Sequence, residues 1–249
     1  SNNGTVLNKG TFNLGDTLTN DATFINSGKD AAISSNTVVN NGVFGLENGA
    51  NISLQAINND VNATIYALGK DNRLDAGTGG IQQGNFVVGD GQTETSLTFV
   101  QGSVLEQAHV NVAQNAVLNV GEADKAASVI FNDNETDKWN GTVNLANGEV
   151  TLDNFKQSTN DTASYTQSGG TLTLQKDSSL SVDNSALIQG GNIIIDNTSA
   201  FISRGTAGED ILYVSNLTNQ GMFSSMNSDW EIFGADTLDI SGTTADSPA

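Results

Sequence analysis

Leu18-Thr19-Asn20-Asp21-Ala22-Thr23-Phe24 and Val39-Asn40-Asn41-Gly42-Val43-Phe44 are one phrase written twice. Its pattern is an apolar residue, Asn, a polar residue, Gly or Ala, any residue, then Phe. Leu7-Asn8-Lys9-Gly10-Thr11-Phe12 carries it earlier, and Leu217-Thr218-Asn219-Gln220-Gly221-Met222-Phe223 carries it near the far end. Between these lie short stretches in which apolar and polar residues alternate, bounded by Gly, Asn, Asp or Ser. Examples are Asn51-Ile52-Ser53-Leu54, Thr142-Val143-Asn144-Leu145, Thr171-Leu172-Thr173-Leu174 and Ser179-Leu180-Ser181-Val182. Period-2 alternation reads as a strand with one buried and one wet face. Apolar residues at helical spacing are nearly absent. The alternating stretches recur about every ten to twenty residues, so the chain is a degenerate repeat.

Many short strands with turn signals fit either a parallel β-solenoid or a sandwich. Four features favour the solenoid. Only one Pro is present, Pro248, whereas the hairpin turns of sandwiches usually carry several. Asn and Gly tolerate the left-handed backbone that tight corners need. Stacked coils set like residues above one another, where Asn and Gln amides form ladders. Near-identical units that cannot bury a face alone must stack. The expected fold is therefore an all-β, right-handed parallel β-helix with a C-terminal capping region. Coils are expected over residues 1–205, and terminal coils, an end cap and a frayed tail over 206–249. A low aromatic fraction of 6% suits a narrow core lined by Val, Ile and Leu.

Composition excludes several function classes. The chain has 249 residues, 28 acidic and nine basic ones, for a formal charge of −19. The basic residues are scattered, so there is no patch to displace counterions from nucleic acid or to dock on anionic lipid. No apolar run approaches the roughly 20 residues that span a bilayer. No Cys is present, which removes thiolate chemistry and Cys-ligated zinc. The single His, His109, lies in the alternating stretch Gln107 to Val112 and reads as a strand-face residue rather than a catalytic base. Ser1-Asn2-Asn3 begins mid-pattern, as a mature or excised piece would.

The Asn-x-Gly-x-Phe phrases, together with Asn115-Ala116-Val117-Leu118-Asn119-Val120-Gly121 and Gly169-Gly170-Thr171-Leu172-Thr173-Leu174, resemble the passenger regions of Gram-negative autotransporters. They are also similar to two-partner-secreted haemagglutinin-like adhesins. The resemblance covers most of residues 1–205. It implies a secreted β-helix displayed on the bacterial cell surface, a non-enzymatic rod or stalk that adheres or self-associates. The implied partners are a glycan or protein of a host or neighbouring cell, or the rod itself.

Candidate sites are few. Asn132 to Asp137 sets carboxylates Asp133, Glu135 and Asp137 at alternate positions, a spacing that can chelate calcium. It departs from the EF-hand loop, with Lys138 at the sixth position and Asn144 at the twelfth, and the competing reading is a solvated insertion between coils. Trp139 follows directly and Tyr165 is a weaker companion. Either ring, if exposed, would stack a sugar; the competing reading folds Trp139 over a coil corner. Acidic pairs such as Asp71 and Asp75 beside Arg73, or Asp196 with Glu209 and Asp210, raise the alternative of a polysaccharide-cleaving β-helix. With 28 acidic residues such neighbours arise by chance, and the expectation is that the chain is not an enzyme and holds no obligatory cofactor. A third alternative is an all-β sandwich adhesin domain.

Overall fold

The computed structural model describes residues 1–132, 137–157, 163–182, 186–203, 211–213, 215–225, 231–233 and 237–240. The chain winds into a parallel β-solenoid of about nine turns. Each described strand pairs in parallel with the strand one coil away, which overturns the sandwich alternative with its hairpin-connected antiparallel sheets. At about 4.8 Å per coil the stack is about 43 Å long.

Every coil has three faces. The first contains Thr5–Asn8, Thr23–Ser27, Val43–Glu47 and Thr64–Leu68 stacked in register. The second contains Ala116–Val120, Thr142–Leu145 and Ser164–Gln167. The third contains Ala127–Asn132, Gly148–Asp153, Thr171–Gln175 and Asn192–Ile195. In two coils the strand runs unbroken round all three faces, as Asn72–Val88 and Thr95–Val112. The described strands Asn216–Asn219 and Thr237–Ile240 continue the third face into the C-terminal region.

Alternation decides what is inside. On the first face the inward column is Phe24, Phe44, Ile65, Phe86, and on the third it is Val129, Val150, Leu172, Ile193, all fully buried. The core is more aromatic than a Val, Ile and Leu lining. Phe131 stacks on Trp139 at 5.0 Å, Trp139 meets Tyr165 edge-on at 5.8 Å, and Phe201 stacks on Phe223 at 5.3 Å. Few aromatic residues exist, but the solenoid gathers most of the described ones into three inward groups: Phe12, Phe24 and Phe44; Phe86 and Phe99; and the larger group around Phe131, Trp139 and Tyr165. Gln167 stands in the inward column between Leu145 and Ile188 and is buried. It is satisfied by the Tyr165 hydroxyl, 3.0 Å from its Oε1, and by donation to the Gly170 and Asn192 carbonyls.

The repeated phrase is a corner. Asn20 and Asn40 end strands on the third face, and the Phe that follows each opens a strand on the first. Their buried amides form a ladder. Nδ2 of Asn2 donates to Asn20 Oδ1 at 2.8 Å, Asn20 to Asn40 at 2.7 Å, and Asn40 to Asn59 at 2.7 Å. The same amides donate to turn carbonyls, so groups that the bend takes off the sheet ladder are satisfied. The earliest copy, Leu7 to Phe12, differs: Asn8 pairs with Asn26 and the phrase turns between the first and second faces. One local sequence thus serves two corners, because both need a buried amide followed by a small residue.

Candidate functional site

The corner between the second and third faces is hollow. Successive coils set Gly77, Gly102, Ala127 and Gly148 there, and small side chains leave a shallow furrow of about 540 Å³. Gly148 has φ of 108°, and a Cβ on it would collide with the Ala127 carbonyl directly below, so no larger residue fills this level. The walls are hydroxyls, amides and one carboxylate: Gln101, Ser103, Ser128, Glu149, Thr171 and Thr173. A smaller hollow of about 310 Å³, lined by Ser53, Gln55, Asp75 and again by Gly77, Thr78 and Gln101, continues it toward the N-terminal coils.

A strap borders this end. After Val120 the chain leaves the coil, and Glu122 and Lys125 pair across a tight turn. The turn reaches back two coils. Arg73 grips both oxygens of Glu122, with Nε at 3.2 Å and Nη2 at 2.7 Å, and Lys125 Nζ lies 2.7 Å from Asp75 Oδ2. The Asp75 carboxylate is nearly buried and also accepts the Gly77 N–H at 2.9 Å, so the lysine meets a charge already taken out of water. Arg73, Asp75 and Glu122 are thereby joined in a structural clamp.

The second face carries a polar ladder on its outer side. Asn119 donates to Thr98 Oγ1 at 3.3 Å, Asn144 donates to Asn119 Oδ1 at 2.8 Å, and Thr166 donates to Asn144. Charges gather at corners instead. Lys70 pairs with Glu94, Lys156 with Asp177 at 2.6 Å, and Lys176 with Asp153 at 2.6 Å. Lys70 holds the Glu94 carboxyl below its usual range, and Glu94 raises the ammonium in turn. N–H groups of Thr93 and Gln92 lower Asp90. At Asp196 partial burial pushes upward, but hydrogen bonds from Ser199, the Lys176 N–H and Thr198 outweigh it and the net shift is down. Burial, and then a 2.6 Å hydrogen bond to Glu47, push the Tyr66 hydroxyl well up.

The residues singled out from sequence fall in different places. Trp139 and Tyr165 are inside, with 0% and 1% of their surface exposed, so neither ring presents a face to a sugar. The alternation that makes Lys138 outward makes Trp139 inward, and the neighbouring Phe131 receives it. Asp133 and Glu135 lie outside the described residues, as do Glu209 and Asp210. Asp137 turns inward: its carboxylate accepts the Val110 N–H at 3.1 Å and the Asn132 N–H at 2.6 Å. His109 is half-exposed on the first face with Nδ1 3.6 Å from Asp137. Among the described residues no group of three His, Asp or Glu converges as a metal site would require.

The furrow was missed in the sequence. Its only signal is the recurrence of Gly or Ala where one alternating stretch turns into the next, and that recurrence is visible only once the coil boundaries are known. Comparison of the chain with family models, curated proteins and solved structures gives no match.

Proposed function

We propose that this chain is a secreted, surface-displayed, non-enzymatic rod: the passenger type of β-solenoid, which adheres to a glycan or protein on another cell or associates with itself. The observation that carries this reading is the outward repetition of neutral polar groups from coil to coil, as in Thr98, Asn119, Asn144 and Thr166. A rigid ladder of amides and hydroxyls offers the same contact many times along one axis, and linked weak contacts add up to firm attachment. The acidic surface supports partners that are neutral or basic, since the charge of −19 repels polyanions.

The test uses the chain coupled to beads. Beads that cluster, or that are retained on a panel of bacterial and epithelial cells, support the proposal. Beads that do neither overturn it. Release of oligosaccharides from any polysaccharide in a reducing-end assay overturns its non-enzymatic part and returns the polysaccharide-cleaving alternative.

A further inference from the structure

We infer that the furrow between the second and third faces is a binding site for a neutral linear polysaccharide. The inference takes the adhesive reading as its premise and names the partner of one surface.

The shape points to a linear ligand. The two hollows share Gly77, Thr78 and Gln101, so they form one channel from Ser53 to Ile194. That run crosses roughly six inter-strand steps, about 29 Å. A compact ligand would use a fraction of it.

The chemistry selects among linear polymers. A peptide that adds to a sheet needs an open strand edge. From Gly102 onward the third-face strands that border the furrow are already paired from coil to coil, so they offer no open edge there. An anionic polymer would meet Glu149 on the wall and the acidic corners around it. An apolar chain finds a single exposed aliphatic group, Ile194. A neutral sugar polymer fits the remainder: hydroxyls both donate and accept, and Gln101, Ser103, Ser128 and Thr171 supply both functions.

Glu149 is the anchor. Its Oε1 accepts hydrogen bonds from Thr151 at 3.0 Å and Thr173 at 3.3 Å. Its Oε2 has no hydrogen-bond partner among the described residues. The carboxylate is therefore aimed before any ligand arrives, so little ordering remains to be done on binding. A sugar hydroxyl donating to a carboxylate makes a charge-assisted bond, stronger than a neutral one.

The experiment titrates the full chain with cellohexaose, xylohexaose and mannohexaose, and with hexagalacturonic acid as the anionic probe. Calorimetry and amide chemical shifts give the readouts. At least one neutral hexamer is expected to bind with Kd below about 1 mM. Shifts should concentrate at Ser103, Ser128 and Thr171. Glu149→Gln should weaken binding about tenfold or more, Ser128→Trp should abolish it by filling the furrow, and Thr64→Trp on the first face should leave it unchanged. The shift map on the unaltered chain keeps the test valid if Ser128→Trp fails to fold. No neutral hexamer binding, tighter binding of hexagalacturonic acid, or shifts elsewhere would overturn the inference. Beads that still attach to cells in that event leave the adhesive rod standing, whereas a furrow that binds sugar on a chain that attaches to nothing removes the rod and keeps the site.

Discussion

Replacing Asn40 by Asp probes the ladder with a change of one heavy atom. Asn40 is fully buried and its Nδ2 donates to Gly42 O at 3.2 Å, Asn59 Oδ1 at 2.7 Å and Thr64 O at 3.2 Å. Its Oδ1 accepts from Asn20 Nδ2 at 2.7 Å. Asn40→Asp keeps that acceptor but turns the donor into an oxygen facing three oxygens. Each lost bond costs about 1 kcal/mol and the unpaired, desolvated charge adds to this, so the penalty at neutral pH should be about 4 kcal/mol or more. Protonation restores one O–H donor. At about pH 3.5, below the ordinary carboxyl value, the penalty should shrink to about 2 kcal/mol. The sign follows from the proton count: the folded state holds the new carboxyl's proton more tightly than the unfolded chain does. Relative stability is therefore retained below the unfolded carboxyl value and lost as pH rises through the folded one. Urea denaturation of both proteins at the two pH values measures the difference. An equal penalty at both, or a neutral-pH penalty under about 1 kcal/mol, would refute the idea that the ladder's donors hold this corner.

Three further outcomes are expected. Gly148→Ala should lower stability by about 2–4 kcal/mol in thermal melts, since strain and collision with the Ala127 carbonyl act together. Gly91→Ala, where φ is 79° and no atom lies near the added Cβ, should lower it by only about 1–2 kcal/mol. Lys125→Ala strips the cation from the nearly buried Asp75 carboxylate and should destabilise by about 1–3 kcal/mol, whereas Arg73→Ala leaves Glu122, about one-third exposed, in reach of water and should be worth about 1 kcal/mol or less; denaturant midpoints separate the two. Tyr66 and Tyr165 both ionise well above the ordinary tyrosine value, Tyr165 by burial and Tyr66 by burial and Glu47. Both favour the folded state only while neutral, so stability should fall as pH rises above about 10, and Tyr165→Phe should flatten that fall in alkaline urea titrations.

The strands were legible because their residues alternate. Thr142–Leu145, Thr171–Gln175 and Ser179–Val182 all lie where alternation places them. The Asn phrase was legible as a repeat, and amide ladders follow from stacking like on like. The candidate site was not. Beside a charged loop, Trp139 left an exposed and a folded-back reading both open, and its place one residue after outward Lys138 sends it to the core. Arg73 and Glu122 pair across 49 residues, and no local pattern marks that contact.

Periodicity determined short, one-sided strands, and the Asn and Gly corners, the repeats and the paucity of Pro pointed to parallel stacked coils, since an alternating strand too short to bury its own face must borrow its neighbour's. Which residues meet around the coil was decided by tertiary structure alone. Coil length varies along the chain, and a shift of one residue in any turn would exchange the inside of every following strand for its outside. The furrow, the clamp and the aromatic groups are products of that register, settled by the turns together and by none of them singly.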